Sequence, residues 1–156
     1  MPEAVYPDSR ETVCNCTALR KAARHLTRFY DACLAEVGLR GTQYAILLYL
    51  SRQRAIPVGA LADAMVMDRT TVGHTIKPLE RDHLVSIDVD PSDRRSRLIS
   101  LTEQGARRVE DGRRAWNKAQ RIFETSFGEG AARDMRKTMA DVAGLELNHV
   151  DVAVRQ

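Results

Sequence analysis

A chain of 156 residues is long enough for one domain with a real hydrophobic core, or for one domain carrying helical appendages. Charged residues make up 29% and aromatics 5%, which suits a helical chain, and a net charge of +3 is too mild for a protein that coats nucleic acid indiscriminately. No apolar run approaches the ~20 residues of a membrane span, and the polar stretch Met1 to Thr12 is unlike a signal or transit peptide. A cytoplasmic setting with three reduced cysteines is therefore expected.

Residues 1–12, with two prolines and no periodicity, predict a flexible N-terminal arm. From about residue 14 the apolar positions Cys16, Leu19, Ala23, Leu26, Tyr30, Cys33 and Val37 recur at helical steps, and Gly38 and Gly41 bracket the end of that helix. A second helix over Thr42 to Arg52 is apolar nearly all round and belongs in a core. Pro57 pre-sets the first turn of a third helix, whose inner face is Leu61, Ala62 and Met65. Asp68 is an N-cap for a fourth helix that turns Val72, Ile76 and Leu79 inward, and a bend is expected at Pro78. Leu84 to Asp90 and Arg97 to Leu101 alternate as strands do, with a turn at Pro91-Ser92-Asp93. Thr102 caps a long helix to about Phe127, Gly128-Glu129-Gly130 breaks it, and a last helix runs from about Ala131 to Val150.

A short helix, a turn, a second helix and a two-stranded hairpin with an arginine-rich tip make a winged helix-turn-helix. Such a unit lays a helix into the major groove of duplex DNA while the wing reaches the phosphates or the minor groove. The fourth helix turns Arg69, Thr70, Thr71, Gly73, His74 and Lys77 outward. The hydroxyls and a methyl suit base edges, while Lys77 and Arg81 suit phosphates. Gly73 costs that helix about 1 kcal/mol relative to Ala, a cost that close approach to the groove would offset. At the wing tip Arg94, Arg95 and Arg97 suit a narrow minor groove, and Asp93 is placed to hold a neighbouring guanidinium in one rotamer. Ala115, Ile122, Met135, Met139, Val142 and Leu145 form apolar seams with no partner in so small a winged unit, and a homodimer would bury them. The resulting division is a helical dimerisation region, 13–40 and 103–156, around a winged DNA-binding domain, 41–102. The expected fold class is mainly α with a small β wing.

Leu61-Ala62, Thr70 to Leu79, Glu80-Arg81, Leu84-Val85 and above all D-R-R-S-R-L-I-S-L-T-E-Q-G from Asp93 to Gly105 make the chain resemble the multiple-antibiotic-resistance regulator (MarR) family over nearly its full length. The resemblance implies a dimer held by its terminal helices, with winged domains in successive major grooves of a pseudo-palindromic operator, and usually repression. His83 stands where the family has Gly, at a position that often takes a positive φ. The resemblance also implies a pocket for a small anionic aromatic effector, to which Arg20, Tyr30 and Tyr44 would supply a cation and hydroxyls.

An alternative stays open through the cysteines. Cys16 stands upstream of Gln43-Tyr44 at about the interval of the sensing cysteine in the family's organic-hydroperoxide branch, and Tyr30 matches a tyrosine there, but Arg20 replaces the second. A helix start and a nearby arginine favour thiolate. Against this, Cys16 on the apolar stripe reads equally as a small buried hydrophobe, and Cys33 reads as core. Cys14, Cys16 and His25 lack a fourth metal ligand, so neither metal nor cofactor is expected. The histidines are scattered and no phosphate loop or nucleophile elbow occurs, which argues against an enzyme. A winged module that binds protein rather than DNA is the remaining alternative.

Overall fold

The computed structural model describes residues 14–146; the arm expected over 1–12 and the helix end expected near Val150 lie outside them. The elements run α1 (Asn15–Leu34), a tighter helical turn over Ala35–Val37, α2 (Gly41–Leu50), β1 (Ile56–Pro57), α3 (Val58–Ala64), α4 (Arg69–Arg81), β2 (Val85–Val89), β3 (Arg97–Leu101), α5 (Glu103–Phe127) and α6 (Glu129–Ala143). The class is mainly helical with a small antiparallel sheet, as the sequence predicts.

The centre of the core is α2. Tyr44, Ile46, Leu47 and Leu50 are all buried, so its all-round apolar surface is covered on more than one side. Around it pack Leu34 and Leu39, then Leu61, Ala62, Val72, Ile76 and Leu79 of the helix-turn-helix, Leu84, Val85 and Ile99 of the wing stem, and Val109 and Ala115 of α5. The start of α2 is satisfied from both directions: Gly41 N–H donates to Asp31 Oδ1 at 2.6 Å, and Arg40 N–H to Gln43 Oε1 at 2.9 Å.

Three helical segments end in the same way. After the turn at 35–37, after α3 and after α4, a residue with positive φ lets its own N–H and that of the following residue fold back onto carbonyls of the last turn. Leu39 N–H reaches Leu34 O, Met67 N–H reaches Ala62 O at 2.9 Å, and Leu84 N–H reaches Leu79 O at 2.8 Å. The residue in the left-handed conformation is Gly38 in the first case, Val66 (φ 52) in the second and His83 (φ 55) in the third. The strain expected at His83 is present, and a β-branched side chain carries the same conformation at Val66, which no feature of the sequence announced.

The sheet has the order β1-β3-β2, antiparallel throughout. Val85 pairs with Leu101, Ile87 with Ile99 and Val89 with Arg97, while Ile56 adds a third strand against Ile99. Pro57 closes that short strand and stands one place before α3, not within its first turn, so its fixed φ sets the corner between strand and helix. Helix α4 runs unbroken through Pro78. Gly128 (φ 96) makes the break after α5, and Gly130 lies inside α6.

The described residues divide into two compact units, 14–119 and 120–146. In the second, Glu124 Oε1 accepts from Gln120 at 2.7 Å and from Arg136 at 2.9 Å, and Phe123 and Phe127 stack at 5.3 Å. The same unit leaves Ile122, Phe127, Met139, Val142 and Leu145 exposed.

Candidate nucleic-acid interface and effector cavity

Asp68 begins α4 as its sequence position predicts, with Oδ1 accepting from Thr71 N–H at 2.8 Å and Oδ2 from Thr71 Oγ1 at 2.6 Å. The Thr71 hydroxyl and amide hold the Asp68 carboxyl below its ordinary value of 3.8. Thr71 is therefore part of the cap as well as an outward residue. Val72, Ile76 and Leu79 anchor the inner face, which leaves Arg69, Thr70, His74 and Lys77 exposed together. Arg81 pairs with Asp82 at 2.9 Å, an exposed pair worth little.

Acidic residues shape the wing tip. Asp90 Oδ1 accepts from Ser92 N–H at 2.8 Å and from its hydroxyl at 2.6 Å, while Asp93 Oδ1 accepts from Arg95 N–H at 2.9 Å. Asp93 thus orders an arginine through the backbone, not through its guanidinium as the sequence suggested. Among the described residues Arg69, Lys77, Arg94, Arg95 and Arg97 form no ion pair. Arg69 of α4 and Arg95 and Arg97 of the wing line a single cleft of about 460 Å³ with Pro57, Val58, Gly59, Ser96 and one acid, Asp93. Helix α4 and the wing present their cations to the same space.

A second cavity, of about 760 Å³, is lined mainly by apolar side chains of α1, α2, the turn before α4, and α5. Tyr30 and Tyr44 both border it, as predicted, but Arg20 does not; it is exposed on α1. The cation at this cavity is Arg52, with Trp116, Met65 and Met67 on the other walls. Arg52 follows Tyr44 and Leu48 at steps of four, so its placement was legible in the spacing. Tyr44 is itself core, and burial pushes its hydroxyl above the usual tyrosine range, with Arg113 opposing.

Cys16 is exposed and Cys33 half-buried. The neighbouring Cys14 occupies the N-cap of α1, where the Thr17 hydroxyl, then the Thr17 amide and more weakly Arg20, hold its thiol below the ordinary 9.0. Arg20 thus acts on Cys14.

Residues 39–96 match the MarR family model. The chain is 31% identical over 91 residues to the organic hydroperoxide resistance transcriptional regulator of Bacillus subtilis, a match that covers 58% of this chain and 62% of that protein's length. Among solved structures, the Mycobacterium tuberculosis transcriptional regulator MOSR in complex with DNA is 29% identical, with a TM-score of 0.71, over 85% of this chain and 99% of that one. Bordetella bronchiseptica BpsR, whose DNA binding is regulated by 6-hydroxynicotinic acid, shares the fold at 20% identity, with a TM-score of 0.78 over 88% of this chain and 99% of that one.

Proposed function

The chain belongs to the MarR family, and from that premise we propose that it is a homodimeric, sequence-specific regulator of transcription in the cytoplasm, not an enzyme. In this reading residues 41–102 read the duplex, and 13–40 with 103–156 hold two copies together. The observation that carries it is the cleft where Arg69, Arg95 and Arg97 meet without an ion pair, beside the exposed face of α4. No described helix is long and apolar enough to cross a membrane. The test is a shift assay on the protein's own upstream DNA at rising salt. Counterion release predicts a steep linear fall of log affinity with log salt. Absence of duplex binding at low salt would leave only the protein-binding module.

The signal is a small anionic aromatic molecule in the 760 Å³ cavity, with Tyr30 and Tyr44 bordering its ring and Arg52, in place of Arg20, pairing its carboxylate. To release the protein, such a ligand must bind the DNA-free arrangement more tightly than the DNA-bound one. In a panel of aromatic acids, Arg52→Ala should leave operator binding intact and raise the concentration needed for release about tenfold, the worth of one charged hydrogen bond. Arg20→Ala should do neither. Equal effects of the two substitutions would remove the cavity from the account.

A second reading is a thiol-based peroxide sensor at Cys14, which stands exposed at the N-cap of α1 with its thiol held below its ordinary value by the Thr17 hydroxyl and amide. In that case peroxide releases the protein from DNA and Cys14→Ser abolishes the release, whereas Cys16, exposed in the same first turn but facing another side of the helix, is a bystander thiol. Release that disappears only with Cys16→Ser would return the role to the residue the sequence singled out.

A further inference from the structure

Gly73 stands mid-way along α4 with no structural reason to be glycine. Its φ is not positive, and a Cβ built on it meets nothing within 4 Å. The contrast with α5 is sharp: a Cβ at Gly105 would lie 2.0 Å from Leu84 O, and one at Gly112 would lie 2.7 Å from the Tyr44 ring. Those two glycines are demanded by packing. At Gly73 the helix bears the glycine penalty with no return inside the described residues.

Its position says what lies outside. Gly73 occupies the row Arg69–Gly73–Lys77, one turn from each of two exposed cations without ion pairs, and Thr70 and His74 flank it on the outward face. The two cations stand eight residues, about 12 Å, apart along the axis with a bare hollow between them. The hollow offers no donor, because a mid-helix N–H is already committed to the helix, so it suits neither a phosphate nor a polar base edge. It is complementary to a small apolar protrusion. In the major groove that protrusion is the C5 methyl of thymine.

We propose that Gly73 is a specificity-determining residue whose missing side chain seats a thymine methyl, so that each half-site carries an A·T pair at one fixed position, with Arg69 and Lys77 reaching the backbone on either side. The proposal rests on the DNA-binding reading above.

The experiment begins with the duplex that the wild-type protein selects from a random pool, and then replaces each thymine singly by deoxyuridine, which removes only the methyl. Gly73→Ala should raise the thermal midpoint by about 3 °C, since alanine is the better helix former and nothing obstructs its Cβ. It should lose about tenfold in affinity for the thymine duplex and less than twofold for random duplex. At one position per half-site, deoxyuridine should restore most of that loss, because the new Cβ fills the space the methyl vacates. An unchanged affinity in Gly73→Ala, a lowered thermal midpoint, or a loss that no deoxyuridine position rescues would each overturn the proposal. Failure of the wild-type protein to select any duplex would instead bring down the DNA-binding reading itself, a result distinct from all three.

Discussion

Asp68 accepts two hydrogen bonds from a single threonine, and that economy makes the start of α4 sensitive to pH. Its carboxyl titrates below 3.8 in the folded chain, so its contribution to stability is complete above the unfolded value and is lost as pH falls through the lower, folded one. Asp68→Ala should lower the thermal midpoint at pH 7, and the gap from wild type should close as the pH is taken down through the carboxyl's lowered folded-state value. A gap that persists there would assign the effect to something other than the carboxylate. The same cap complicates Thr71→Ala, which removes an outward hydroxyl of the proposed reading face and a cap donor together. His74→Ala is the cleaner probe of groove reading and should lower the ratio of operator to random affinity without a change in thermal midpoint. Val66 presents the opposite case: 80% exposed and left-handed, it is strained without packing in return. Val66→Gly should stabilise the fold by about 1 kcal/mol in urea unfolding, with an unchanged m-value. Asp68 was legible in the sequence because capping is local chemistry. Val66 was not, because a left-handed residue without Gly or Asn leaves no compositional mark.

At the scale of elements, α5 is set against the rest of the core by two absences. Gly105 lets the helix pass under Leu84 O, and Gly112 leaves room for one side of the Tyr44 ring. Gly112→Ala forces that ring to shift and should cost about 2 kcal/mol. Because Tyr44 also borders the effector cavity, ligand affinity should fall alongside stability, whereas Gly105→Ala should destabilise at least as much without that selective loss. The wing makes a different prediction. Arg95→Ala should weaken operator and random duplex alike and make the salt slope shallower by about one unit; an unchanged slope would remove Arg95 from the phosphates. Periodicity found α1 and both hairpin strands, capping and breaker residues marked α3, α4, α5 and α6, and α2 was legible from its unbroken apolar run. Periodicity missed β1, because two residues, one of them Pro57, give no alternation, and only their pairing with β3 makes them a strand.

For the whole molecule, the unfinished business is the apolar surface left in the second unit. Phe127 and Leu145 are at least half exposed, and Ile122, Met139 and Val142 accompany them. Met139→Glu with Leu145→Glu should leave the first unit folded and convert a dimer to a monomer in sedimentation equilibrium, with loss of binding to two half-sites a helical turn apart. A wild-type chain that sediments as a monomer at micromolar concentration and still grips one half-site tightly would contradict the dimer. Ile122, Met139, Val142 and Leu145 were visible in the sequence as helix-spaced apolar residues with nowhere to go, whereas Ala115, read with them as unpartnered, is buried in the core of the first unit. What covers the exposed residues was not visible, because a sequence records the appetite of a surface and not its partner.

Thr102 connects three parts of the reading head. Its N–H reaches Leu84 O at 3.2 Å, its hydroxyl donates to His83 O at 2.7 Å, and the same oxygen accepts from Gly105 N–H at 3.0 Å. The tail of α4, the root of the wing and the first turn of α5 therefore meet at one welded joint. A weld transmits torque. On the proposed DNA-binding reading, a turn of α5 about its long axis would carry α4 and the wing with it as one piece, and both would leave the duplex together.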